Sequence, residues 1–120
     1  MILKGGDKCI LYPTRDPLFG YSRERLIEAL RKKLKGRAEA VYIFGSFAEN
    51  RVSPGSDLDL ILVVKTDLPF LLRGRVYEDL RELIPSLDLL IYTPEEFRML
   101  TDHPTVGFWE SVTQTMIRIL

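Results

Sequence analysis

Two aspartates one residue apart, Asp57 and Asp59, open an apolar run that reaches Val64, and a Gly45-Ser46 pair closes the apolar run before it. Ten residues separate the pair from Asp57. Side chains alternate faces along a strand, so Asp57 and Asp59 are expected to point one way and Leu58 and Leu60 the other, into a core. Carboxylates that close repel by up to ~4 kcal/mol at an effective dielectric of about 20. A cation must offset this, yet no Lys or Arg occurs between Val52 and Val64. A divalent metal is the expected partner, because hard carboxylate oxygens suit magnesium, which takes one or two of them together with substrate phosphates. Gly45 would let a phosphate approach the backbone, and Ser46 with the amides of a following helical turn would hold it. A further acid, Asp88, lies second in another apolar run, Leu87 to Tyr92.

Each feature alone has an ordinary reading. Acids at strand starts are commonly just solvated, and Gly-Ser after a strand is commonly a turn. Their conjunction at this spacing points to chemistry, and it resembles the signature of the DNA polymerase β-like nucleotidyltransferase superfamily. The likeness is to its minimal branch, similar to the antitoxin of HEPN/MNT toxin–antitoxin modules. That signature is Gly-Ser, a short helix and loop, Asp-x-Asp, and a third acid on a later strand. Gly45, Ser46, Asp57 and Asp59 match it position by position, Ser56 precedes the first aspartate, and Asp88 takes the third place. Two positions depart: Glu49-Asn50 stands where relatives often carry Arg-Gly. Asn50 suits a left-handed turn at modest cost, and Arg51 is the candidate to replace the missing phosphate contact.

The resemblance implies a magnesium-dependent nucleotidyltransferase using two ions, with manganese as an alternative, and ATP as substrate. Asp57, Asp59 and Asp88 would be catalytic and metal-binding, and Gly45 and Ser46 nucleotide-binding. Asp57 and Asp59 would bind both ions; Asp88 would complete the ion that activates the acceptor and serve as general base. The transferred group would be a nucleoside monophosphate, AMP by expectation, moving to an acceptor hydroxyl with release of pyrophosphate. A tyrosine on a small helical HEPN-type RNase encoded by an adjacent gene is the acceptor the resemblance suggests. The alternatives are a transferase acting on a small molecule such as an aminoglycoside-like antibiotic, disfavoured because no large acceptor domain is evident, and an antitoxin that binds without catalysing.

Composition bounds these readings. The 120 residues, 46% hydrophobic and 28% charged, fit a single globular domain, here taken as residues 1-120 with an N-terminal extension over 1-20. Zero formal net charge gives no global field toward nucleic acid or membrane. Seven basic residues crowd Arg23 to Arg37, read first as a solvated helix face and second as a contact for an acidic partner or RNA. The lone Cys9 excludes an intrachain disulfide and is expected to be buried. With no signal-peptide pattern and no spanning apolar run, a cytoplasmic location is expected, and homo-oligomerisation stays open.

The elements that must position the site alternate helix and strand, an α+β class with a mixed sheet of three core strands plus a possible edge strand. Residues 1-20 suggest a hairpin or an added edge strand. Ser22 should cap a helix burying Leu26, Ile27, Leu30 and Leu34 and stopping at Gly36. Strands are expected at Ala40–Phe44, Leu58–Val64 and Leu87–Tyr92. Between the last two, one helix should open near Asp67-Leu68-Pro69 and run to Leu83. Thr93-Pro94-Glu95-Glu96 reads as a capping box, ended by His103-Pro104, and a last helix over Phe108–Val112 precedes an edge strand at Met116–Leu120. If Asp57 and Asp88 meet near the starts of their strands, those strands must be parallel, with a crossover between them. The strand ending at Gly45 must then run antiparallel. Arg73 and Arg75 are read as solvated, His103 as a turn residue, Phe108 and Trp109 as core or subunit contact, and Lys65 as remote from the site.

Overall fold

The computed structural model describes residues 20–51, 57–102 and 107–120. The expected hairpin over 1-20, buried Cys9 and the His103-Pro104 break lie outside them.

Helix α1 spans Arg23–Leu34, with the Ser22 hydroxyl accepting from the Arg25 amide. It buries Leu26, Leu30 and Leu34 at a four-residue spacing that keeps them on one face. Gly36 adopts φ +80°, the left-handed conformation that stops a helix at small cost. Strand β1, Ala40–Phe44, leads into the single turn α2, Gly45–Ala48, and Asn50 follows in the left-handed region at φ 59°. Strands β2, Leu58–Val63, and β3, Leu87–Tyr92, pair in parallel, and β1 pairs antiparallel to β2. A short β4, Ile117–Arg118, adds antiparallel to β1, so the sheet order is β3-β2-β1-β4. This is the mixed sheet expected from the placement of the acids, edge strand included.

Alternation divides the sheet into two faces. Val41, Ile43, Leu58, Leu60, Leu62, Leu87 and Ile91 join the α1 residues in the main core. On the other face Phe44 and Ile61 meet Val112, with Tyr42, Leu90, Tyr92, Phe97 and Trp109 around them. That second face is covered by α4, Pro94–Asp102, and α5, Phe108–Thr115. The capping box forms as expected: Glu96 Oε1 accepts from the Thr93 amide at 2.9 Å, and Thr93 Oγ1 from the Glu96 amide at 3.2 Å. Helix α5 runs three residues past its expected end at Val112, to Thr115.

The β2–β3 crossover differs from expectation. Instead of one helix there is a 3-10 segment, Phe70–Tyr77, and a one-turn helix α3, Leu80–Leu83. The buried positions still follow a helical period, Arg73, Tyr77, Leu80 and Ile84, so the pattern was legible while the hydrogen bonding was not. Gly74 lies inside the segment, Thr66 and Arg73 take backbone partners at Leu68, and Tyr77 reaches out to the loop before β1. The Thr66 hydroxyl, rather than Asp67, accepts the Leu68 amide; Arg73 Nε donates to the Leu68 carbonyl; Tyr77 donates to the Arg37 carbonyl. Arg73 itself corrects the reading of a solvated cation. It is buried, donates to the Ile91 carbonyl at 3.1 Å, and forks onto both carboxylate oxygens of Glu96 at 2.6 and 3.1 Å. The arginine thereby fastens the crossover to β3 and to the start of α4. No described helix is long and apolar enough to cross a membrane.

Candidate active site

Register places the acidic residues. Phe44 of β1 pairs with Asp59 of β2, which pairs with Asp88 of β3, a row across three strands. Paired residues share a face, and alternation assigns these three to the face that carries Ile61 and Val112, under α5. Parallel pairing of β2 and β3 is what brings the two aspartates side by side from 29 residues apart in sequence. Gly45 follows Phe44 directly and completes the same corner.

Asp59 is half-buried, and its pKa is raised from 3.8 to about 6. Burial is the largest cause, followed by the charges of Asp88 and Asp57 and by a hydrogen bond with Asp88 that requires a proton. None of the described Lys or Arg side chains forms an ion pair with Asp59 or Asp88. Asp57 precedes β2 rather than lying in it, is exposed, and accepts a hydrogen bond from the buried Ser86 hydroxyl. Among the described residues no three of His, Cys, Asp and Glu are gathered tightly enough to ring an ion as they stand. Asp59 and Asp88 thus stand side by side on adjacent strands, while Asp57 acts on Asp59 through its charge and is held by Ser86. The donor chemistry fits a hard divalent cation: carboxylate oxygen ligands and like charges on neighbouring strands that a cation would offset.

Gly45 has a second role that sequence reasoning missed. At φ +75° its backbone already favours glycine, and a Cβ there would overlap Asp59 Oδ2 and lie 3.1 Å from Asp59 Cγ. The space beside Gly45 therefore belongs to the Asp59 carboxylate, and the residue is required by the acid as well as by any phosphate. Helix α2 is held from outside. Arg23 Nη1 donates to the Phe47 carbonyl at 2.8 Å with its guanidinium 4.3 Å from the Phe47 ring, and the Arg51 amide donates to the Ser46 carbonyl at 2.7 Å. Arg51, the candidate phosphate contact, pairs with Glu49 at 2.9 Å on the surface. Lys65 lies at the far end of β2 beside Glu39, as expected.

A cleft of about 480 Å³ opens at this corner, bounded by Phe44, Gly45, Glu49, Asp59 and Asp88 on one side and by α5 on the other. The α5 wall and Ser86 were not read from the sequence as parts of the site. Ser86 carries no motif, and the cleft-facing positions of α5 emerge only once the helix is docked on the sheet.

The family model described as polymerase beta, nucleotidyltransferase, matches residues 24–104, from α1 through α4. No curated protein matches the chain. Among solved structures, a candidate nucleotidyltransferase from Sulfolobus solfataricus is similar at 22% identity and a TM-score of 0.48, over 71% of this chain and 81% of that one. The family match spans the Gly-Ser corner and all three aspartates, and by it the chain belongs to the polymerase beta nucleotidyltransferase family.

Proposed function

We propose that the chain transfers a nucleoside monophosphate, AMP from ATP, to an acceptor hydroxyl with release of pyrophosphate. The observation that carries this reading is the row in which Asp59 and Asp88 stand side by side against a glycine that Asp59 itself requires. Asp59 and Asp88 would hold magnesium or manganese, with Asp57 released from Ser86 to join them. The metal, when bound, supplies charge neutralisation on the phosphates and lowers the pKa of the attacking hydroxyl. The chain's own groups do the rest. Gly45 and Ser46 hold the phosphates, Gly45 by close backbone approach and Ser46 by its hydroxyl. Asp88, exposed at the strand start, accepts the acceptor's proton. The bond formed joins the acceptor oxygen to the α-phosphorus, and the bond broken releases pyrophosphate.

For the acceptor we favour a tyrosine hydroxyl on a small helical HEPN-type protein encoded by the adjacent gene. This follows the resemblance to minimal members of the family.

The test is incubation with magnesium, that partner and ATP labelled at either the α- or the γ-phosphate. Label should pass to the partner from the α-position only, and Asp88→Ala should abolish transfer while ATP binding persists. Complex formation without labelling, with inhibition of the partner unaltered by Asp88→Ala, would identify a binding antitoxin instead. Label arriving from the γ-phosphate would sink the proposed reaction.

A further inference from the structure

The cleft beside the carboxylates has two chemically unlike walls. One is acidic. The other is a single face of α5, where Phe108, Ser111 and Thr115 follow at helical spacing. Phe108 leaves 53% of its surface exposed, a large fraction for an aromatic side chain at a cleft. Its ring is nevertheless held: it stands edge to face with Phe44, centroids 5.8 Å apart at 86°, and with Trp109, 5.5 Å apart at 86°. A ring that is both fixed and exposed offers a stacking surface that loses little freedom when a planar group covers it. The Thr115 hydroxyl donates to the Ser111 carbonyl at 3.0 Å, whereas the Ser111 hydroxyl bonds no described residue.

We infer that α5 is the nucleobase wall of the cleft, and that it takes purine nucleoside triphosphates with little discrimination between adenine and guanine. The inference rests on the reading of Gly45-Ser46 and the aspartates as a nucleoside triphosphate site. Transfer requires the α-phosphorus beside the carboxylates, and the nucleoside attached to it then reaches the adjoining cleft, which Phe108 lines where α5 meets Phe44. Stacking on a ring is tolerant of base identity but grows with the area of the base, which favours purines. A serine hydroxyl donates and accepts equally well, so Ser111 suits the edge of either purine.

The experiment titrates the full chain, with magnesium present, with ATP, GTP, CTP, UTP and inorganic tripolyphosphate. Affinities are taken by calorimetry, and the fluorescence of Trp109, the chain's single tryptophan, reports occupancy beside Phe108. ATP and GTP should bind within about threefold of each other and several-fold tighter than CTP or UTP, with tripolyphosphate weaker and nearly silent in fluorescence. Phe108→Leu keeps the bulk and removes the aromatic face; it should weaken ATP about tenfold and leave tripolyphosphate unchanged, and Phe108→Tyr should retain ATP affinity. Unaltered ATP affinity in Phe108→Leu, an equal loss of tripolyphosphate, or a tenfold preference for one purine would overturn the inference. Tripolyphosphate binding as tightly as ATP in the wild type would remove the base wall and leave the phosphate site standing. Binding of neither would strike the proposed function itself.

Discussion

Replacing Asp59 by Asn tests whether the site stores electrostatic strain that a cation would relieve. In the fold the Asp59 pKa rises from 3.8 to about 6, through burial first and the neighbouring charges of Asp88 and Asp57 second. A folded-state pKa above the unfolded one means the folded protein holds the extra proton between about pH 4 and 6. Wild-type stability should therefore fall as pH rises through that window and level off above it. At 1.36 kcal/mol per pH unit the shift corresponds to about 3 kcal/mol, and solvent screening at a half-exposed carboxylate reduces this to roughly 1–2 kcal/mol. Asn is neutral at every pH and can donate to Asp88. In EDTA at pH 8, Asp59→Asn should melt higher than wild type by roughly 3–8 °C, and the gap should close near pH 4. The carboxylates of Glu96 and Asp79, with pKa values lowered to about 2 by their arginine partners, titrate alike in both proteins and cancel in the difference. Magnesium should then reverse the order, raising wild type by about 2.7 kcal/mol at a hundredfold excess over its Kd and leaving the variant unmoved. Differential scanning calorimetry across pH gives the full comparison. A variant that melts below wild type in EDTA at pH 8, or a gap that persists at pH 4, would refute the reasoning.

Gly45→Ala should lower thermal stability by about 1–3 kcal/mol, from the left-handed backbone and the collision with Asp59. Because the displaced group is a carboxylate of the site, the magnesium and ATP responses should disappear together in ligand-dependent melts; ATP lost with magnesium retained would place the fault at a phosphate contact alone. Arg73→Ala should cost about 2–4 kcal/mol in urea unfolding, since it orphans the Leu68 and Ile91 carbonyls and leaves Glu96 only its capping bond from the Thr93 amide. A loss under 1 kcal/mol would show that Arg73 is dispensable to the crossover. Glu96 has its folded pKa depressed below the unfolded value of 4.5, so its contribution is complete above that pH and lost as pH falls toward 2. Glu96→Gln should accordingly flatten the acid limb of the stability curve, and an unchanged limb would assign acid unfolding to other groups.

Local chemistry was legible without a structure. Ser22, the Thr93–Glu96 box, Gly36 and Asn50 each act within three or four residues of themselves, and the structure has them as expected. The strands were legible because alternation is a local period, and their directions followed from requiring Asp57, Asp88 and the Gly45-Ser46 corner to share one sheet end, although it is Asp59 that pairs with Asp88 in the register. Misreadings arose where a side chain's partner comes from elsewhere in the chain. Arg73 and Arg75 look alike in sequence, yet only Arg73 is buried, because Glu96 and the Ile91 carbonyl reach it from β3 and α4. The crossover kept a helical burial period and lost α-helical bonding to Gly74 and to side chains that take its carbonyls and amides.

The sequence by itself determined the family, the strand directions implied by the acids and the pair of residues at the Gly-Ser corner. These rest on residue type and spacing, which survive any detail of packing. Only the tertiary structure decided which carboxylates stand beside one another, that Ser86 holds Asp57, and that Gly45 leaves room for Asp59 rather than for a phosphate alone. It also decided that α5 stands opposite the aspartates with Phe108 exposed. The physical reason is range: a strand's period sets the face a side chain takes, but its neighbours across the sheet are set by register and by docked helices, which no local pattern encodes.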